Sequence, residues 1–250
     1  MQLKIGTYNV CHCANFEEWK EQDFVAHVDV NKTAIAIKNL NLDIIGLNEV
    51  YSEGVNKEYF NQTERLAQLA GYKYSAFALG EKFSWTTIGN AILSRYPIIN
   101  TRSVIVKKPD EKDRAIENAK GWEDRVVLSC DIDVDGKIIR VIETHFGLNL
   151  IEQQNIVNVV CKLIDESSYP VVLMGDFNVL PENPVINDIY DRLVSATIAT
   201  GKTVKTFSSY KPTEQIDYIF VSKTMSVNSC DVHESSTSDH RPLTANITIE

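Results

Sequence analysis

At 250 residues with 44% hydrophobic content, the chain carries enough apolar material for one large sheet-based domain. Its formal net charge of -9 provides no chain-wide attraction to polyanions, so nucleic acid is an allowed partner that the charge does not favour. Five cysteines, an odd number scattered through apparent strands and helices, do not make a disulfide framework and read as reduced thiols.

The chain runs from Met1 straight into a strand-like pattern, with no apolar signal segment and no apolar run of membrane-spanning length. A cytoplasmic, monomeric protein without a transmembrane segment is expected. Leu3 to Val10 reads as a strand, Val30 to Leu40 as a helix, and Asp43 to Val50 as a strand with an acidic end. Glu58 to Ala70 has helical spacing and stops at Gly71; Tyr72 to Ala78 and Gly89 to Ser94 are further strands. The charged stretch from Lys107 to Asp124 is expected to be a solvated surface excursion, mobile or partly helical.

Arg125 to Val134 and Lys137 to His145 look like paired strands around a turn at Asp135-Gly136. Leu150 to Asp165 follows as a helix, Pro170 to Asp176 as a buried strand, and Gln215 to Ser222 and Leu243 to Ile249 as late strands. The two halves echo each other. A strand ending at Asn9, a helix and a strand ending at Glu49 parallel a strand ending at His145, a helix and a strand ending at Asp176. That pattern suggests two similar sheets packed together, their polar strand ends on one rim.

Acids, amides and imidazoles at the ends of apolar strands sit where a core meets solvent, a position suited to catalysis and costly without partners. In Gly175-Asp176-Phe177-Asn178, glycine permits close backbone approach, and Asp176 and Asn178 face one site if the chain stays extended. Ser238-Asp239-His240 supplies an oxygen ligand beside a base, and Asp217 is available to orient the imidazole of His240. Hard cations prefer oxygen ligands and keep several waters, a need that Glu49, Asn9 and Asp239 fit. Cys11-His12-Cys13 is too tight to be a zinc half-site.

In order along the chain, Thr7-Tyr8-Asn9-Val10, Ile45-Gly46-Leu47-Asn48-Glu49-Val50, Gly89-Asn90-Ala91-Ile92-Leu93-Ser94-Arg95, Thr144-His145-Phe146-Gly147-Leu148, Gly175-Asp176-Phe177-Asn178, Ile216-Asp217-Tyr218-Ile219 and Ser238-Asp239-His240-Arg241-Pro242 resemble the motifs of the endonuclease/exonuclease/phosphatase (DNase I-like) superfamily. The resemblance implies an α/β fold, a four-layered sandwich of two mixed sheets face to face with helices outside, formed by the whole chain as a single domain. It also implies hydrolysis of a phosphoester substrate assisted by Mg2+ or Mn2+, most simply by a phosphodiesterase.

By carry-over, Glu49 would be the principal metal ligand, with Asn9 and Asp239 near the metal. His240, oriented by Asp217, would act as general base. Asp176 would position or deprotonate the water, and Asn178 and His145 would bind the scissile phosphate. Arg95 and Asn90 are better read as strand support.

Two positions depart from the pattern. Cys11 stands where the abasic-site DNA-repair branch carries an acid, and Phe146-Gly147 stands where an Asp often follows the histidine. A noncatalytic binding module of the same fold is the competing reading; it calls for a missing metal or base residue, and none is missing.

Overall fold

A computed structural model describes residues 1–16, 27–54, 57–117 and 121–250, with the side chains of 115–117 left aside. The strands are β1 (Gln2–Asn9), β2 (Ala14–Asn15), β3 (His27–Val28), β4 (Ile44–Gly54), β5 (Tyr74–Lys82), β6 (Thr86–Ser94), β7 (Ile98–Val106), β8 (Arg125–Val134), β9 (Lys137–His145), β10 (Val171–Asp176), β11 (Leu193–Ser195), β12 (Asp217–Ser222), β13 (Met225–Val232) and β14 (Leu243–Ile249). The helices are α1 (Val30–Leu40), α2 (Gln62–Ala70), α3 (Glu111–Glu117), α4 (Leu150–Asp165), α5 (Asn187–Arg192) and α6 (Ala196–Thr200).

Two six-stranded sheets form, ordered β13-β14-β1-β4-β6-β5 and β7-β8-β9-β10-β12-β11. Written this way, they match position by position. Each is centred on a parallel pair joined through a helix: β1 with β4 across α1, and β9 with β10 across α4. All other pairings within them are antiparallel.

Strand alternation builds the layers. Leu3 and Ile5 of β1, Val172 and Met174 of β10, and Ile219 and Val221 of β12 enter a core between the sheets. The opposite faces, with Ile45 and Leu47 on β4 and Leu173 and Phe220 on β10 and β12, pack against helices. α1 and α2 cover the first sheet, and α4 and α5 the second. Three apolar layers between four layers of structure give the expected four-layered α/β sandwich. No helix among the described residues is long and apolar enough to cross a membrane.

Several local expectations shift. The helix placed from Glu58 starts at Gln62, because Asn61 caps it: the Asn61 side chain accepts from Glu64 N and donates to Glu64 Oε2. The excursion from Lys107 is tied down at both ends, by Lys107 to Asp124 and by Lys108 to Glu81, and carries α3 between them. Its residues 118–120 lie outside the described residues. β7 and β13 are strands that periodicity did not reveal. β7 is largely solvent-exposed at a sheet edge, so no buried face imposes alternation on its sequence. All five cysteines are buried free thiols.

Candidate active site

The inter-sheet face is apolar along most of its length and turns polar at one rim. Inward positions run Leu3, Ile5, Thr7, Asn9 on β1; Ile139, Val141, Glu143, His145 on β9; and Val172, Met174, Asp176 on β10. Parallel pairing then brings Asn9 level with Asn48 and His145 level with Asp176, while antiparallel β12 sets Asp217 opposite Asp176. Gly175 makes the approach possible, since a Cβ there would lie 1.9 Å from Thr144 O.

Glu49 reaches this face by a different route. The acid was expected at a strand terminus, yet β4 continues to Gly54. Strict alternation after Ile45 and Leu47 would send Glu49 outward toward the helices. A β-bulge intervenes: the register with β6 shifts between Leu47 and Val50, both of which pack in the outer core. Asn48 and Glu49 together fill the inward side, with Glu49 at φ 55°.

A second correction concerns Asn178. The chain does not stay extended after Asp176. Asp176 Oδ1 accepts Asn178 N–H at 2.9 Å, a tight Asx-type turn with Asn178 at φ 50°. The Asn178 amide then donates to Phe146 O at 3.0 Å and faces His145 Nε2 at 3.1 Å.

All of the predicted site residues meet at the rim. Asn9 is the hub: its Nδ2 donates to Glu49 Oε1 at 3.0 Å and to Asp176 Oδ2 at 3.1 Å, while its Oδ1 accepts Cys11 N–H at 3.0 Å. His240 Nδ1 lies 2.9 Å from Asp217 Oδ2, and its Nε2 lies 3.5 Å from Asp176 Oδ2. His145 Nε2 approaches the same Asp176 oxygen at 3.5 Å. Asp239 accepts from Ser238 Oγ at 3.2 Å. Arg95, by contrast, pairs with Asn41 and Asp43 and stacks on Tyr72, and Asn90 is spent on Asn48 and Val126 O, so both are structural.

Burial governs the charges. It pushes the carboxyls of Asp176 and Glu49 up from their ordinary values, against hydrogen bonds from Asn9. Burial alone would lower His240, but the carboxylates of Asp217 and Asp176 outweigh it and raise the imidazole to about 10. His145 is held well below the usual histidine range by burial and then by the Arg125 guanidinium. With an Arg125 N–H at Nδ1, a neutral ring accepts there and keeps its proton on Nε2, whereas an imidazolium would set one N–H against another.

Two groups of described side chains bring ligand atoms within 4.8 Å of one another: Asp176 with Asp217 and His240, and Cys11 with His12 and Glu49. In the first, His240 already binds Asp217 and the trio is almost wholly buried, which suits proton handling. For a hard divalent cation, the carboxylates of Glu49 and Asp239, with the Asn9 amide hydrogen-bonded to Glu49, are a fitting donor set.

Sequence reading missed three supporting residues. Asn48 ties the sheets together: it donates to Asn90 Oδ1 at 3.1 Å and Thr144 O at 3.0 Å, and accepts Asp176 N–H at 2.9 Å. Its place beside Glu49 at a polar strand position was the available signal. Arg125, which touches His145 Nδ1 at 3.4 Å, opens a strand after a charged stretch and has no motif around it. Glu143, two residues before His145 on the same face, is fully buried and takes a hydrogen bond from Thr7 at 3.3 Å. Period two alone would have placed it.

Two mixed sheets face to face, with amide, carboxylate and imidazole groups gathered on one rim, define the DNase I-like class of α/β sandwiches. The chain belongs to the Endonuclease/Exonuclease/phosphatase family, whose model matches residues 6–240 and whose members are typically phosphoester hydrolases. No curated protein sequence matches it significantly.

Among solved structures it is similar to an endonuclease/exonuclease/phosphatase from Beutenbergia cavernae DSM 12333, at 23% identity and TM-score 0.77, covering 99% of this chain and 72% of that one. A mannosyl-6-phosphatase of Bacteroides thetaiotaomicron VPI-5482 is similar at 17% identity and TM-score 0.69, covering 99% and 100%. ANGEL2, described as a 2',3'-cyclic phosphatase, is similar at 17% identity and TM-score 0.72, covering 99% and 95%. At these identities the likeness shows the shared fold.

Proposed function

We propose that the protein is a divalent-metal-dependent phosphodiesterase that cleaves its substrate by in-line attack of an activated water. Mg2+ or Mn2+ bound at Glu49, with Asp239 and Asn9 beside it, would neutralise charge on the phosphoryl oxygens. Asp176 orients the water, and its proton passes into the array of Asp176, His240 and Asp217, where Asp217 fixes the ring through Nδ1. His145, neutral, and the Asn178 amide donate hydrogen bonds to the phosphoryl oxygens as negative charge grows there.

The observation that carries this reading is the position of Asn9. A single amide joins the carboxylate suited to a cation, Glu49, to the carboxylate suited to the water, Asp176. The two halves of the chemistry are thereby held in fixed relation. The net charge of -9 argues for a small phosphoester over a long nucleic acid, a choice in keeping with the sugar-phosphate and cyclic-phosphate activities named for two structural relatives.

The test is hydrolysis of bis-p-nitrophenyl phosphate, p-nitrophenyl phosphate, supercoiled DNA and sphingomyelin in parallel, each with Mg2+, Mn2+ or EDTA. Turnover of the diester that EDTA abolishes supports the proposal. Turnover of the monoester alone replaces phosphodiesterase with phosphatase, and turnover indifferent to EDTA overturns the metal requirement.

A further inference from the structure

Three consecutive residues after β1, Cys11, His12 and Cys13, adopt left-handed backbone conformations, with φ of 42°, 48° and 66°. Non-glycine residues persist there only where the surroundings hold them, and such positions cluster at functional sites. Here the supports are explicit. Gln62, fully buried, donates Nε2 to His12 O at 2.9 Å and accepts Tyr51 N–H at 2.9 Å. The Tyr51 ring stacks on the His12 imidazole with centroids 4.8 Å apart and planes 7° apart, and Asn9 holds Cys11 N–H.

This turn separates side chains that the sequence sets side by side. Cys13 enters the core beneath α1 and α2. Cys11 and His12 turn instead toward the rim, where Cys11 Sγ, a ring nitrogen of His12 and a carboxylate oxygen of Glu49 lie within 4.8 Å of one another. The Cys11 sulfur therefore stands beside Glu49, one of the two carboxylates that suit a hard cation. The spacing of Cys11, His12 and Cys13 is too short for a zinc half-site, but the bulge of β4 supplies the third ligand from elsewhere in the fold.

Mg2+ gains little from a thiolate or an imidazole, whereas borderline ions of the zinc class bind both strongly. We propose that Cys11, His12 and Glu49 form a site for a thiophilic divalent ion of the Zn2+ class, with Cys11 releasing its proton to solvent on coordination. Three protein ligands leave room for a water or a substrate oxygen, the arrangement of catalytic rather than closed structural zinc sites. The site shares Glu49 with the cation of the proposed hydrolysis, but it stands on the donor set and not on turnover.

The test uses the full chain stripped of metal and titrated with Co2+, the spectroscopic surrogate for Zn2+, alongside calorimetric titrations with Zn2+ and Mg2+. Expected is a thiolate-to-cobalt charge-transfer absorption in the near ultraviolet that Cys11→Ser abolishes, His12→Gln weakens and Cys161→Ser, on α4, leaves intact. Zn2+ binding should weaken roughly tenfold or more in Cys11→Ser, at least what loss of an outer-shell partner costs, with Mg2+ binding little changed.

Folded wild-type protein that binds no Co2+, or binds it without that absorption, overturns the proposal, so it remains falsifiable even where Cys11→Ser fails to fold. Survival of the absorption in a folded Cys11→Ser protein overturns it as well. Hydrolysis is recorded separately. Turnover without the thiolate absorption removes this site and leaves the hydrolase reading, and the absorption without turnover does the reverse.

Discussion

Nδ1 of His240 lies 2.9 Å from Oδ2 of Asp217, and this contact fixes which ring nitrogen faces Asp176. Asp217→Asn keeps the shape but removes the carboxylate that raises the His240 imidazole and offers an amide that can donate where the carboxylate accepted. A loss of roughly 10²- to 10⁴-fold in kcat is expected. Far-UV circular dichroism and Tm should be unchanged, which separates misorientation from unfolding.

Asp176 is approached within 3.5 Å by both His145 and His240 and receives an N–H from Asn9, so it has no substitute in the array. Asp176→Ala and His240→Ala should each abolish turnover while leaving the protein folded. Near-wild-type rates in either variant would sink the proposed mechanism.

Glu49→Gln retains the hydrogen bond from Asn9 through the amide oxygen and removes the anionic donor. Calorimetric titration should show Mg2+ binding weakened, and hydrolysis should fall at every Mg2+ concentration tested. Unaltered affinity would remove Glu49 from the metal site.

Glu143 tests the electrostatics behind the site. Burial, opposed by the hydrogen bond from Thr7 and by the nearby Asn48 amide and reinforced by Asp217 and Asp176, raises its carboxyl well above the ordinary value. The unfolded group has a pKa of about 4.3. Folding above that pKa is therefore linked to proton uptake by this group, so the stability associated with it is complete below the unfolded pKa and declines as pH rises. Glu143→Gln needs no proton. It should exceed the wild type in thermal stability at about pH 8 and converge with it near about pH 4; an advantage that is the same at both pH values would refute the upward shift of the carboxyl.

Asn48 braces the two sheets from inside, with no exposed surface. Its truncation in Asn48→Ala leaves Asp176 N–H and Thr144 O without their side-chain partner. A loss of about 1–3 kcal/mol is expected for each buried group left unsatisfied, read as a lower urea midpoint at unchanged slope. Turnover should fall too, since the Asp176 backbone loses an anchor.

Runs such as Val171 to Asp176 and Lys137 to His145 were legible because strand alternation writes burial directly into residue order, and their polar ends then marked one rim. The motif series carried the family, the layered fold and the residues from Asn9 to His240 that gather there. Exposed β7 was not legible, having no buried face to impose a pattern. Nor was the direction of Glu49, which depends on a register shift against β6, or the turn that swings Asn178 back over Asp176. Asn48 and Asp176 N–H are 128 residues apart in sequence, and Cys11, His12 and Glu49 meet only because a left-handed turn and a bulge face one another. Residue order records which face of each strand is apolar. Only the packing of one sheet on the other decides which polar groups become partners, because hydrogen bonds and metal donor sets form through space across elements that the chain keeps apart.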